Sequence, residues 1–196
     1  MQYQIDYFDC IKKTKITLKK YVQKDEYKQH EINLEKFNDI FIQELERQRK
    51  KNPDMKILFI GNGASMSMAS HFVVDFKKNG LFNTEFVDSG ALLSCYCNDY
   101  GYEYMFSEIV KQRLKKGDWL FAISSSGNSD NIRNACWSAE EFGINIITLT
   151  GFNENNKISK IGNFNIHVPA MTYGFVESAH AFFLQYILDK ILEGRK

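Results

Sequence analysis

Residues 121–131 read FAISSSGNSDN, and the reading of this stretch decides the fold. Trp119 to Ile123 is a short apolar run behind Gly117-Asp118, too brief for a helix, and so reads as the end of a buried strand. Ser124, Ser125, Ser126, Gly127, Asn128 and Ser129 follow as a loop of small residues. Small side chains let backbone amides approach a ligand closely, and Gly127 can take a positive φ without steric cost. Asn131 to Phe142 reads as a helix, with Gly143 as its C-terminal stop. The start of such a helix offers unpaired N–H groups and the positive end of a dipole, which favour an anion. An ordinary strand-to-helix turn needs one capping serine; three in a row, with Ser129 beyond, supply donors for a phosphate.

Working outward, a second loop of the same make-up lies upstream. Lys56 to Ile60 is a buried strand, Gly61-Asn62-Gly63-Ala64-Ser65 follows it, and a helix runs from about Ser65 to Lys78. GNGAS lacks the spacing of a dinucleotide fingerprint, and there is no Gly-Lys-Ser phosphate loop. Two such loops at the carboxyl ends of parallel strands converge on one crevice. A phosphorylated small molecule fits that pattern better than a nucleotide does.

Further strands are expected at Thr84 to Val87, Ile144 to Leu149 and Phe164 to Val168. Helices are expected at Leu92 to Tyr96, Tyr102 to Leu114, Ile158 to Ile161 and Phe175 to Leu192, with a turn over residues 97–101. Alternating strands and helices argue an α/β fold with a parallel sheet covered on both faces. Residues 1 to 50 lack Pro and Gly. Ile5, Phe8, Ile11, Ile16, Leu18 and Val22 suggest one amphipathic helix, and Ile32, Leu34, Phe37, Ile40, Phe41 and Leu45 a second. This gives a helical extension over 1–52 and a ligand-binding domain over 53–196.

Composition narrows the function. The 196 residues are 44% hydrophobic and 25% charged, as in a soluble globular protein. Lys+Arg number 25 against 24 Asp+Glu, which gives no electrostatic case for nucleic acid or an anionic membrane. No apolar run approaches the ~20 residues of a membrane span. Cys10, Cys95, Cys97 and Cys136 show no CxxC pairing, and no secretory leader is evident, so reduced thiols in a cytoplasmic protein are expected.

Two pairs of ionisable residues stand out. His71 and Asp75 are four apart on one helix and share a face, a spacing that suits a metal pair, an acid/base pair or a simple surface pair. Glu177 and His180 are three apart on the apolar last helix, with Gln185 near the same face. Ionisable groups in so apolar a helix must be paired or sit at a cleft. Asn98-Asp99 reads as an Asx turn or as an amide and a carboxylate facing sugar hydroxyls. His30 and His167 are read as structural.

Taken together, GNGASMSMASHFVVD, CNDYGYEYMF, FAISSSGNSDNI, IITLTGF and HVPAMTYGFVESAH resemble the sugar isomerase (SIS) family, and within it the phosphoheptose isomerase branch. The resemblance implies a three-layer α-β-α sandwich around a parallel, flavodoxin-like five-stranded sheet, with N-terminal helices. It implies isomerisation of sedoheptulose 7-phosphate to a heptose 7-phosphate for lipopolysaccharide or capsule, in a cytoplasmic homotetramer. Carried over by position, Asn62, Gly63, Ala64 and Ser65 fall on the first substrate loop, Asn98 and Asp99 on the Asn-Asp turn. Ser124, Ser125, Ser126 and Ser129 fall on the phosphate-binding serines. His71, Asp75, Glu177 and Gln185 fall on the zinc-binding and acid/base positions. Asp75 stands where the family has a glutamate, Glu177 where it has a glutamine, and Gln185 where it has a histidine; His180 lies inside the same segment. The expected base is Glu177 or Asp75, and the electrophile is His180 or a metal held by His71. The alternative is a non-catalytic sugar-phosphate sensor or protein-binding adaptor.

Overall fold

The structure, a computed structural model, describes residues 7–23, 26–87 and 89–196. Among them a five-stranded parallel sheet is built from β3 (Lys56–Gly61), β4 (Asn83–Glu85), β5 (Trp119–Ser124), β6 (Asn145–Gly151) and β7 (Phe164–Val168). Their spatial order is β7-β6-β5-β3-β4, which is the flavodoxin-like order.

The sheet does not stop at five strands. Residues expected to form the first N-terminal helix instead give a short helix α1 (Tyr7–Lys12) and a hairpin of β1 (Lys15–Gln23) and β2 (Glu26–Ile32). β1 pairs antiparallel with β7, from Lys15 opposite His167 to Leu18 opposite Phe164, so the sheet has seven strands and is mixed. The sequence explains the correction. Ile16 and Leu18 are two apart, with β-branched Thr17 between them, which is the strand period, whereas Phe8 and Ile11 keep the helix spacing. Ile16 faces Ile32 across the hairpin and both are buried. Ile5 lies outside the described residues.

The second N-terminal helix forms as expected, as α2 (Leu34–Phe37), a π turn (Asn38–Ile42) and α3 (Gln43–Lys51). Asn33 caps its start, its side-chain oxygen accepting from Lys36 N at 2.9 Å. Phe37, Phe41 and Leu45 are fully buried, and Phe41 packs edge-on against Trp119 at 5.3 Å. Each such ring stabilises the fold by about 1.5–3 kcal/mol through burial. Trp119 keeps its polar edge satisfied by donating to Gln48 Oε1 at 2.7 Å.

The remaining helices are α4 (Ala64–Lys78), α5 (Gly90–Tyr100), α6 (Met105–Arg113), α7 (Asp130–Glu141) and α8 (Tyr173–Glu193). Alternate strand residues feed two cores. Ile57, Phe59, Trp119, Phe121, Ile123, Ile147 and Leu149 pack with residues of α2 to α4 and α8. Leu58, Ile60, Leu120, Ala122 and Ile146 pack with residues of α6 and α7. Three layers follow from the period of two. Lys19, on the other face of β1 from Ile16 and Leu18, reaches across the sheet to the Glu140 carboxylate on α7.

Three local expectations need correction. The expected turn at 97–101 is mostly helix: α5 runs through Tyr100, and Gly101 ends it with φ 87°. The expected helix at Ile158–Ile161 is a chain of turns, tied down by the Asn156 side chain, whose Oδ1 accepts from Ser159 N at 3.0 Å. The strand expected at Thr84–Val87 is shorter and earlier, Asn83–Glu85. No helix among the described residues is long and apolar enough to cross a membrane.

Candidate functional site

The loops after β3 and β5 lie side by side, because β3 and β5 are hydrogen-bonded neighbours. Together with the start of α8 they line a crevice of about 240 Å³. Its walls are Asn62, Gly63, Ala64 and Ser65 from the first loop and Ile123, Ser124, Ser125, Ser126 and Ser129 from the second. Tyr173 and Glu177 complete it from α8.

The serine loop is a turn closed by Gly127 N donating to Ser124 O at 3.0 Å. Gly127 takes φ 63°, as its sequence position required. The turns after β6 brace it from behind, with Ile158 N donating to Gly127 O at 3.2 Å and Lys157 N to Asn128 Oδ1 at 3.1 Å. Ser129 precedes α7 but its hydroxyl does not cap the helix, so the amides of Asp130 and Asn131 stay open to a ligand, while Ile132 N is taken by Asn131 Oδ1. Ser125 Oγ is buried and has no hydrogen-bond partner, although it lines the crevice. Such an orphaned hydroxyl costs stability unless a ligand atom satisfies it. Asp130 puts a negative charge in the first turn of α7, and Arg133 at 2.6 Å and Lys157 at 3.6 Å offset it. The net arrangement is an anion cradle.

α8 reaches the crevice because Gly151, at the end of β6, has no side chain. A Cβ there would meet Val176 Cγ1 at 2.5 Å. This close approach places Tyr173 and Glu177 at the crevice wall. The Tyr173 ring is steadied edge-on against Phe152 at 5.0 Å.

Of the residues singled out from the sequence, the structure gathers Asn62, Gly63, Ala64, Ser65, Ser124, Ser125, Ser126, Ser129 and Glu177. It does not gather the rest. Asn98 and Asp99 are exposed in the last turn of α5, where Asn98 Nδ2 donates to Asp99 Oδ1 at 2.9 Å. His71 and Asp75 pair with each other at 3.2 Å on an outer face of α4. Gln185 is exposed on α8 and donates to Asp189 Oδ1 at 2.8 Å. The donor set implied for zinc therefore does not converge within one chain, and among the described residues no three His, Cys, Asp or Glu side chains form a metal-sized group.

His180 is the sharpest correction. It is fully buried, on the sheet side of α8 rather than at the crevice. Its Nε2 lies 3.0 Å from Thr150 O, and a carbonyl only accepts, so the proton sits on Nε2. Nδ1 is buried without a partner. Thr150 Oγ1 also meets His167 Nδ1 at 3.1 Å, which makes a polar seam beneath α8. Burial pushes the His180 pKa down to about 4, the Thr150 carbonyl opposes this, and nearby His167 adds to it. The folded chain thus holds a proton on His180 less tightly than the unfolded chain does. The resulting stability is complete above about pH 6.5 and is lost as pH falls towards about 4, a change of roughly 2–3 kcal/mol. Burial lowers the His167 pKa as well, which acts in the same sense. Urea unfolding at pH 7.5 and pH 4.5 should show this loss in the wild type and a flatter profile in His180→Gln.

Sequence reasoning missed Tyr173, which sits inside a quoted stretch but carries no spacing signal. It also missed Asn131, the last residue of the stretch that opened the reading, and Tyr102.

The chain is 40% identical to a phosphoheptose isomerase of Glaesserella parasuis over 123 residues, 60% of this chain and 64% of that one. The chain thus matches less than two thirds of that relative's length. It is 29% identical to a phosphoheptose isomerase of Mycobacterium tuberculosis over 142 residues, 69% of this chain and 72% of that one. Among solved structures, a phosphoheptose isomerase from Neisseria gonorrhoeae superposes with a TM-score of 0.68 at 26% identity, over 80% of this chain and 89% of that one. The SIS domain profile matches residues 22–151, which includes both crevice loops, the strands beneath them and α7. The profile match covers more than half of the chain, and the chain belongs to the SIS domain family.

Proposed function

We propose that the chain is a phosphoheptose isomerase, interconverting sedoheptulose 7-phosphate and the corresponding aldose phosphate through an enediol. The observation that carries this reading is the placement of the Glu177 carboxylate in the same crevice as the serine cradle. The phosphate binds at Ser124, Ser125, Ser126, Ser129 and the open start of α7. Anchoring one end of the sugar holds the reacting carbons still beside Glu177. Glu177 takes the proton from the carbon next to the carbonyl and returns it to the neighbouring carbon. The carbonyl oxygen gains a proton as the adjacent hydroxyl loses one, so the net change is two hydrogens shifted to the neighbouring position, one between carbons and one between oxygens. The Tyr173 phenol and the Ser65 hydroxyl line the crevice and are the donors available to polarise that oxygen.

The second reading, a non-catalytic sugar-phosphate sensor or adaptor, is favoured by the burial of His180, which leaves Glu177 with no imidazole beside it on the crevice wall among the described residues. One assay separates the two. Heptose, hexose and pentose phosphates are incubated with the protein, with and without zinc, and isomerisation is followed by NMR. Turnover of the heptose phosphate supports the isomerase; tight binding without turnover supports the sensor. In either case Ser124→Ala with Ser126→Ala should weaken phosphosugar binding by about 1 kcal/mol per lost hydrogen bond. Unaltered affinity by calorimetry would reduce the cradle to a plain turn.

A further inference from the structure

A pair of asparagines holds the crevice loops together. Asn131 Nδ2 donates to Asn62 Oδ1 at 2.9 Å, and Asn62 Nδ2 donates to Asn131 Oδ1 at 2.9 Å. The pair joins the loop after β3 to the first turn of α7, 69 residues apart in sequence. Asn131 is 1% exposed, so this amide pair is shielded from competing water. Its orientation is fixed from both ends. Ile132 N can only donate, and it reaches Asn131 Oδ1 at 2.9 Å, so that atom must be the oxygen. By complementarity the Asn62 atom facing Asn131 Nδ2 is also an oxygen, and the Tyr102 hydroxyl donates to it at 3.0 Å. Tyr102 sits in the link between α5 and α6, and this link is itself tied to α7 by Asn134 Nδ2 donating to Glu103 O at 2.8 Å.

We infer that Asn131 and Tyr102 are positioning residues that set the spacing between the phosphate cradle and the sugar loop, and that they hold Asn62 so that its Oδ1 is spent on the clamp and one N–H of its Nδ2 is left for the sugar. The inference rests on the sugar-phosphate reading above. Both lone pairs of Asn62 Oδ1 are already engaged, by Asn131 and by Tyr102, and one N–H of Nδ2 points to Asn131. What the first loop can offer a sugar is then its backbone amides at the start of α4, the Ser65 hydroxyl and the second N–H of Asn62 Nδ2. The amides stay aimed only while the loop keeps its distance from the serine loop. A ligand that touches one loop is indifferent to the clamp; a ligand that spans both is not.

The test uses that difference. Sedoheptulose 7-phosphate and inorganic phosphate are titrated calorimetrically into the wild type, Asn131→Ala, Tyr102→Phe and the double variant. Loss of two hydrogen bonds in Asn131→Ala should weaken the sugar phosphate about tenfold or more, while inorganic phosphate stays within about twofold. Tyr102→Phe removes one exposed hydroxyl and should weaken the sugar phosphate about threefold, again sparing inorganic phosphate. In the double variant the second change should add little, because Tyr102 acts through the pair that Asn131 completes. Equal weakening of both ligands, or an unchanged ratio in Tyr102→Phe, overturns the clamp; the tyrosine variant decides the matter alone if Asn131→Ala does not fold. If the wild type binds the sugar phosphate without converting it, the isomerase reading falls and these titrations still decide the clamp. A wild type that binds the sugar phosphate no better than inorganic phosphate also overturns it.

Discussion

Glu177→Gln is expected to lower kcat for the heptose phosphate by about a hundredfold or more, the range in which general-base residues act. The replacement keeps the length of the side chain and its capacity for hydrogen bonds, and removes the group that can accept a proton near neutrality. Glu177 is half-buried on α8, whose packing rests on Val176, Ala179, Phe183 and Leu184, so the helix has no reason to shift. Affinity for inorganic phosphate should hold or rise, because the variant takes one negative charge away from an anion site. Incorporation of solvent deuterium at the carbon next to the carbonyl reads the same step directly and should vanish with turnover. A Glu177→Gln protein with normal kcat would place the base elsewhere.

The second large effect is expected at Gly127. A Cβ there would meet Asn156 Oδ1 at 2.0 Å, and the residue sits at φ 63°. Asn156 cannot step aside: it is buried, its Nδ2 donates to Asn153 O at 2.9 Å and its Oδ1 accepts from Ser159 N at 3.0 Å. Gly127→Ala should therefore cost about 2–4 kcal/mol in urea unfolding, from the left-handed backbone and the clash together. It should also weaken inorganic phosphate by about tenfold or more, since the loop closes through Gly127 N and loses its aim at the anion. Gly143→Ala is the control, with φ 66° but no atom closer than Lys116 Cγ at 3.7 Å. It carries the backbone strain alone, about 1–2 kcal/mol, and should leave phosphate binding intact. Matching losses in the two variants would remove Asn156 from the account.

The serine loop, the first loop and the parallel core were legible because each is a local signal. A short apolar run, a cluster of small residues and a helical period follow one another within about twenty residues. The hairpin was hidden for the opposite reason. Ile16 and Leu18 satisfy a strand only once Ile32 and β7 supply the neighbours, and the residues before them carry true helical spacing. His180 was misplaced because i,i+3 spacing puts two residues near one face without saying how wide the cleft is. Glu177 reaches the wall of the crevice, and one turn later the helix is already pressed on Thr150. Asn98 and Asp99 went to a turn because residues 97–101, closing on Gly101, were read as a break between two helices, whereas Gly101 ends a helix that begins at Gly90. Asn131 and Asn62 are 69 residues apart, and no periodicity links them.

The pairing of β1 with β7 sets an order of events during synthesis. Lys15 opposes His167, so β1, the first of the described strands, is bound by β7, the last of them. A nascent chain carries the hairpin with its inner edge open until about residue 168 has left the ribosome, and only then can the sheet close on that side. Contacts this distant form late and slowly. Until they form, the β7 edge and the buried face of Ile16 and Leu18 are both available to other chains. A fragment beginning after residue 33 would keep both crevice loops and lose the strand that shields β7, and its yield should be governed by aggregation before its chemistry.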